Sequence, residues 1–140
     1  MSYIRIEKPR PHTSVIVMDR PERMNSMAFE MVGPLHEAIE QVAADNDTSC
    51  VILTGSGKGF CAGADTQATE PPPNIEGLTL TRIATRSMAI LADLVPALRR
   101  MPQPVIGAIN GAAIGGGFCL TLGADIRIAA ESAYFRAAGI

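Results

Sequence analysis

Two short apolar segments limit the folds that this chain can adopt. They occupy residues 50–54 (CVILT) and residues 104–109 (PVIGAI), and neither alternates polar with apolar side chains. Continuous apolar runs of this length are typical of strands in a parallel sheet, which is buried on both faces. Between them, apolar residues recur at helical spacing from Ile83 to Leu98. Strands that alternate with helical segments predict an α/β domain in which helices cross over between parallel strands.

Further strands are predicted towards both ends of the chain. Residues 3–7 and 14–19 are rich in β-branched side chains and are joined by a link rich in turn formers, so we expect an antiparallel pair. A third strand buried on both faces is predicted at residues 125–129. A last strand-like run occupies residues 133–136. Strands and helices therefore alternate along most of the chain.

The first helix is predicted to follow a polar loop, and Asn25 or Ser26 is available to cap it. Pro34 falls inside the helical pattern. Its missing N–H predicts either a kink near residues 33–34 or a helix that begins at Pro34. Residues 67–77 contain three consecutive prolines and predict an exposed loop.

Composition narrows the class of protein. The 140 residues, 47% of them hydrophobic, are enough for one domain with its own core, over residues 1–140. The net charge of −2 argues against a nucleic-acid-binding surface. No apolar run approaches the roughly 20 residues of a membrane span, and no signal peptide is recognisable. The three cysteines and two histidines are not spaced for disulfides or a metal site. We expect a soluble, cytoplasmic protein without metal, nucleic-acid or membrane partners.

The first of two glycine-rich segments follows the strand at residues 50–54. Its Gly57-Lys58 pair suggests a phosphate-binding loop, but that motif needs a glycine five positions before Gly57 and a Ser or Thr after Lys58. Those positions hold Ile52 and Gly59, so the motif is excluded. The small residues at 62–64 leave backbone N–H groups uncovered by side chains.

The second glycine-rich segment contains Gly115, Gly116 and Gly117, where a helix is expected to begin after the strand at residues 104–109. The first N–H groups of a helix have no partner within it, and they lie at the positive end of the helix dipole. Without side chains, a ligand oxygen can approach these donors closely. The segment therefore predicts an anion site made of backbone groups.

Taken together, four motifs resemble the crotonase superfamily of enoyl-CoA hydratases and isomerases. They are Arg20-Pro21 with Asn25, the segment GFCAGAD at 59–65, the segment PVIGAING at 104–111, and the glycine triplet at 115–117. The match keeps the same order over nearly the whole chain. The resemblance implies a crotonase-like spiral of β-β-α units that binds an acyl-CoA or enoyl-CoA substrate. It implies no separate cofactor, because coenzyme A is part of the substrate.

The resemblance also implies where the substrate binds. The thioester oxygen would lie between two backbone N–H groups, which are assigned here to Ala62 and Gly116 as the catalytic donors. The full set of implied binding residues is Arg23, Met24, Ala62, Gly63, Ala64, Asp65, Thr66, Gly115 and Gly116. Of these, Arg23 and Met24 are placed beside the CoA moiety.

Two catalytic glutamates that the resemblance implies are missing. In the hydratases one follows the glycine triplet by two residues and another lies twenty residues beyond it, and here those positions hold Cys119 and Gly139. Addition of water needs one group that takes a proton and one that gives a proton. We expect an enzyme of the hydratase or isomerase type without the usual glutamates; the alternative is a non-catalytic or weakly active acyl-CoA-binding protein.

Several candidate residues also have simpler interpretations. Cys119 is interpreted as a small buried apolar residue rather than a reactive thiolate. Asp65 is expected to anchor a loop or cap a helix rather than act as an acid. Lys58 and Arg23 are solvated cations by default, and Glu70 is a loop carboxylate that nothing in the sequence places at the site.

Relatives of the crotonase type continue well past residue 140, so the spiral is expected to be incomplete at its C-terminus. The faces of Ile106, Ile109 and Ile126 are then expected to lack partners within the chain. We interpret the chain as a truncated member of the family, and we expect a homo-oligomer, either a trimer or a hexamer.

Overall fold

The computed structural model describes residues 3–138 of the chain. Its strands are β1 (Ile4–Arg10), β2 (Thr13–Met18), β3 (Cys50–Gly55), β4 (Gly59–Cys61), β5 (Val105–Ile109), β6 (Ala112–Ile114), β7 (Ile126–Ala129) and β8 (Phe135–Arg136). Its helices are α1 (Phe29–Ala43), α2 (Leu80–Arg100) and α3 (Gly116–Gly123), with a short 3-10 turn at Pro21–Arg23.

The larger sheet has five strands in the order β1-β2-β3-β5-β7. Strands β1 and β2 form the predicted antiparallel pair, in which Ile4 lies opposite Met18. The other pairings are parallel, and Leu53 of β3 lies between Ile16 of β2 and Gly107 of β5. Because α1, α2 and α3 each connect two parallel neighbours in this sheet, the α/β prediction with helical crossovers is confirmed.

A second, smaller sheet of three parallel strands has the order β4-β6-β8. Each β-β-α unit contributes one strand to each sheet: β3-β4-α2 is followed by β5-β6-α3. This repeat is the predicted spiral. Strands β4 and β6 were not predicted from the sequence, since three residues are too few to display a period.

The core lies between the larger sheet, α1 and the C-terminal half of α2. Ile16, Leu35, Leu53, Phe60 and Leu98 are among its fully buried side chains. Burial of each such side chain contributes about 1.5–3 kcal/mol relative to exposure. The exposed loop at residues 67–77 is confirmed, since it has no regular structure and most of its residues are exposed. Within residues 3–138, no helix combines the length and apolarity that a membrane span requires.

Two predictions for the first helix are wrong. Helix α1 begins at Phe29, its N-cap is Ala28, and no side chain caps it. Asn25 and Ser26 therefore do not cap this helix. Pro34 lies inside the helix, five residues after its start, so the alternative of a helix that begins at Pro34 is also wrong.

Strand β7 differs from the predicted strand buried on both faces. All four of its residues are exposed, and the exposed fractions of Ile126 and Ile128 are 52% and 62%. The reason is its edge position: β7 pairs only with β5, and no described element covers it. Ile126 thus lacks a partner, as expected, but Ile109 is only 1% exposed and the expectation for that residue is wrong.

Asn25 is fully buried and holds the loops around the site together instead of capping a helix. Its Oδ1 accepts a hydrogen bond from the Arg20 backbone N–H at 2.8 Å. Its Nδ2 donates to the carbonyls of Ser56 and Gly59, each at 2.9 Å. One side chain thereby fixes the loop after β2 to the turn between β3 and β4.

We expect the substitution Asn25→Ala to lower the free energy of unfolding by about 2 kcal/mol, because the Arg20 N–H and the Ser56 carbonyl lose this partner. The Gly59 carbonyl keeps its hydrogen bond from Asn110. Asn74→Ala is the matched control: Asn74 also has a positive φ (57°, against 54° at Asn25), but it is exposed. Denaturant unfolding of both variants checks this expectation. Equal destabilisation by the two substitutions would show that backbone strain, and not the hydrogen bonds, accounts for the effect.

Candidate active site

A cavity of about 770 Å³ lies between helices α2 and α3. We call it the α2–α3 cavity. It is lined by Met27, Ala64, Thr66, Met88, Leu91, Ala92, Leu94, Val95, Gly115, Gly116, Cys119, Leu120, Leu122 and Ala138. Most of these side chains are apolar, so the walls suit an apolar ligand group, whereas any polar group of the ligand must find backbone partners.

The start of α3 forms one side of the cavity. Gly115 is the N-cap and has a φ of 53°, a conformation that glycine adopts without steric cost. The Gly116 N–H lies in the first helical turn and has no hydrogen-bond partner among residues 3–138. The predicted helix start and its unpaired donor are therefore present at the cavity wall.

Gly117 has a different role from the one predicted. A Cβ at this position would lie 2.1 Å from the Cys61 carbonyl oxygen, so any side chain would collide with β4. The glycine here serves the packing of α3 against the smaller sheet, and Gly117 does not line the cavity. This close approach brings the first turn of α3 beside the loop that follows β4.

The loop after β4 supplies the opposite side of the cavity, but not through Ala62. The Ala62 N–H donates to the Met24 carbonyl at 3.0 Å, and Ala62 does not line the cavity. Its assignment as a donor to the ligand does not fit this geometry, because the N–H is already occupied. Ala64 is exposed on the cavity wall, and its N–H has no partner within the described part of the chain.

Backbone hydrogen bonds on both sides of Ala64 hold its peptide groups in place. The Met27 N–H donates to the Gly63 carbonyl at 2.7 Å, and the Asp65 N–H donates to the Met27 carbonyl at 2.9 Å. Met27 thus pairs with the segment as a strand would. Ala64, between these two bonds, is the residue whose N–H stays unpaired.

Asp65 points away from the cavity and anchors the loop, as its simpler interpretation predicted. Its carboxylate is 2% exposed and binds Arg23 Nη2 at 2.6 Å and Arg20 Nη1 at 2.8 Å. The hydrogen bond from Arg23, together with its charge, holds the pKa of Asp65 well below its usual range, and the pKa of Arg23 is raised in return. Asp65 is not among the described residues that line this cavity, and its place in a ligand groove stays a prediction.

The structure brings Ala64, Thr66, Gly115 and Gly116 to the cavity, and it leaves the other predicted binding residues outside the lining. Gly63 is buried behind Ala64, and Arg23 is bound to Asp65 and to the Gln67 Oε1. Contact of Arg23 and Met24 with a CoA moiety stays a prediction.

The two cysteines near the site differ in environment. Cys61 is fully buried, and desolvation raises the pKa of its thiol to about 11. Cys119 is half-buried and lines the cavity, so it is not the fully buried residue that was expected. No carboxylate is among the described residues that line the cavity, and Glu70 is not one of them. Gly139 lies outside the described residues.

The apolar wall from α2 was not predicted as part of a site. Leu91 and Leu94 belong to the helical stripe predicted from the sequence, and Met88 and Val95 do not. A stripe does not reveal whether it faces the core or a ligand. The described residues also contain no group of His, Cys, Asp and Glu side chains that could hold a metal ion.

Comparison with known proteins agrees with this geometry. The chain is 54% identical over 140 residues to a probable enoyl-CoA hydratase of Mycobacterium bovis. This alignment covers 100% of this chain and 49% of the relative. It is 42% identical over 125 residues to the 1,2-epoxyphenylacetyl-CoA isomerase of Escherichia coli. This alignment covers 86% of this chain and 45% of the relative. The chain therefore spans about half the length of the curated relatives it matches.

Solved structures give the same result. A probable enoyl-CoA hydratase/isomerase from Mycobacterium abscessus superimposes with a TM-score of 0.92 at 51% identity, over 99% of this chain and 51% of that one. The model of the family described as enoyl-CoA hydratase/isomerase matches residues 12–140. Fold, motifs and relatives agree, and the chain belongs to the enoyl-CoA hydratase/isomerase family.

Proposed function

We propose that this chain binds an acyl-CoA thioester and holds the thioester oxygen between the N–H groups of Ala64 and Gly116. The observation that carries the proposal is that two backbone donors, neither with a partner among residues 3–138, lie on the wall of one cavity. Family membership supports it, since the relatives described above are named for reactions of CoA thioesters. Ala64 replaces Ala62 in this assignment.

The chemistry of thioesters explains why two such donors are useful. Removal of a proton next to a thioester carbonyl, or addition to a conjugated double bond, places negative charge on the carbonyl oxygen. A preorganised donor directed at that oxygen is worth about 2.7–4 kcal/mol in the transition state. Both donors are backbone groups on fixed elements, so they need little reorganisation when the charge develops.

The acyl group is proposed to be apolar. Helix α2 contributes Met88, Leu91, Leu94 and Val95 to the cavity, and α3 adds Leu120 and Leu122. Among the described lining residues the polar side chains are Thr66 and Cys119. A charged acyl substituent would lose its hydration here without a compensating partner.

The reaction is proposed to be of the hydratase or isomerase type. The second candidate function, a thioester-binding protein without turnover, is favoured by one observation: the described lining contains no carboxylate, and Cys119 occupies a position where the resemblance implies glutamate. The two candidates share the binding site and differ only in proton transfer.

The first test removes one donor. We expect Gly116→Pro to weaken binding of hexanoyl-CoA, which cannot be hydrated, by roughly three- to tenfold through loss of one hydrogen bond. Proline is tolerated at the first position of a helix, so α3 should still form. A Cβ at this position would lie 2.8 Å from Met27 Sδ, so Gly116→Ala, which adds that contact but keeps the N–H, should bind hexanoyl-CoA more tightly than Gly116→Pro. Calorimetric titration measures the affinity.

Leu80→Pro is the matched control, because Leu80 is the first residue of α2 and is 83% exposed. It should leave the affinity for hexanoyl-CoA unchanged. Unchanged affinity in a folded Gly116→Pro variant would contradict the donor role of Gly116.

The second test concerns turnover. We expect the unmodified chain to hydrate crotonyl-CoA very slowly or not at all, because each acid–base group contributes typically 10²–10⁴-fold. The double substitution Cys119→Glu with Gly139→Glu should raise the rate of hydration. This rate is measured as the loss of absorbance of the conjugated double bond. The same double substitution with Gln is the control, since it keeps the shape but cannot transfer the proton. Rapid hydration by the unmodified chain, unchanged in Cys119→Ala, would contradict this assignment.

We also propose that the chain forms a homo-oligomer, a trimer or a hexamer. The support is a set of exposed apolar side chains on β7, β8 and the end of α3: Leu122, Ile126, Ile128, Tyr134 and Phe135. Surfaces of this kind mark interaction sites or aggregate.

The substitution Ile126→Lys with Ile128→Lys is expected to lower the molar mass measured by light scattering. Leu80→Lys, at a still more exposed apolar residue on α2, should not change the molar mass. A monodisperse monomer of the unmodified chain at micromolar concentration would overturn the proposal.

A further inference from the structure

Three charged side chains, Asp65, Arg20 and Arg23, form a cluster next to Ala64. Asp65 follows Ala64 directly, and it is not among the described residues that line the cavity. Asp65 Oδ2 binds Arg20 Nη1 at 2.8 Å, and Asp65 Oδ1 binds Arg23 Nη2 at 2.6 Å. Both arginines come from the loop between β2 and α1, so the cluster joins this loop to the segment that carries the proposed donor.

The cluster is itself held firmly. The Arg20 side chain is 10% exposed, contacts Glu30 Oε1 at 3.2 Å and lies 5.1 Å from the centre of the Tyr3 ring. Its backbone N–H is bound by the buried Asn25. Because Arg20 is fixed on several sides, it can fix Asp65 in turn.

Rotation of the Ala64 peptide groups would have to move the Asp65 backbone, and the ion pairs resist that movement. The backbone bonds of Met27 to Gly63 and Asp65 oppose the same rotation. So do the N–H groups of Gln67 and Ala68, which donate to the Asp65 Oδ1 and to the Asp65 carbonyl. Donors to a developing oxyanion act fully only when they are directed at it beforehand. A charge cluster behind the loop can therefore set the strength of a donor in front of it.

We propose that Asp65, held by Arg20 and Arg23, is a positioning residue: the three act through Ala64 to direct its N–H at the thioester oxygen. This inference rests on the proposed function. The buried ion pairs would then affect how strongly the site polarises the thioester carbonyl, in addition to their effect on folding.

The test separates binding from polarisation of the carbonyl. The probe is a 2,4-dienoyl-CoA, whose absorption band moves to longer wavelength when its conjugated thioester oxygen accepts hydrogen bonds. We expect Asp65→Asn to lose most of this shift while binding of the probe, measured by calorimetry, weakens far less. Arg23→Gln removes the more exposed of the two arginines and should cause a smaller loss of the shift.

Asp45→Asn is the matched control. Asp45 also binds a cation, Lys8, and also accepts the N–H two residues later, at Asp47, but it lies on the turn between α1 and β3. This variant should keep the full shift. Circular dichroism and unfolding of each variant establish that it is folded, and if Asp65→Asn does not fold, the comparison of Arg23→Gln with Asp45→Asn decides.

The outcomes are distinct. If the unmodified chain fails to bind the probe or shows no shift, the proposed function is wrong and this inference is overturned with it. If the unmodified chain shows the shift and folded Asp65→Asn or Arg23→Gln shows it in full, the inference alone is overturned. A loss of shift that tracks only a loss of affinity would also overturn it, because a merely structural anchor has that effect.

Discussion

The contact between the start of α3 and the Cys61 carbonyl is the constraint on which the site depends. At Gly117 the two backbones approach so closely that a Cβ would lie 2.1 Å from the carbonyl oxygen. Only this approach brings the first turn of a helix from one β-β-α unit beside the loop that follows β4 in the preceding unit. The N–H groups of Ala64 and Gly116, which have no partner among the residues that the structure describes, then lie at the same cavity.

The loops around this contact are held by polar groups rather than by apolar packing. Asn25 is buried and binds backbone groups of three residues, and Asn110 similarly donates to the Gly57 and Gly59 carbonyls. Asp65 is bound by two arginines. Loops lack a regular hydrogen-bond ladder, so side-chain amides and ion pairs supply the partners that the backbone needs. The cavity walls can then remain apolar and free of charge.

Much of the fold could be predicted, because it depends on local patterns. The apolar runs at residues 50–54 and 104–109 became the central strands β3 and β5, and the stripe from Ile83 to Leu98 became α2. Strands β4 and β6 were missed because three residues show no period. Strand β7 was predicted to be buried because its composition suits a parallel sheet. Burial also requires neighbouring elements on both sides, and a sequence pattern does not show whether a strand has them.

The sequence by itself determined the family, the order of the longer strands and helices, and the two glycine-rich segments at which backbone donors stay uncovered. It did not distinguish Ala62 from Ala64, since both are small residues beside Gly63 in the same loop. Tertiary structure decided between them: the Met24 carbonyl, from a loop distant in sequence, accepts the Ala62 N–H and leaves the Ala64 N–H unpaired. The reason is physical, because an N–H group is available to a ligand only when no acceptor elsewhere in the fold lies within reach, and that depends on contacts distant along the chain.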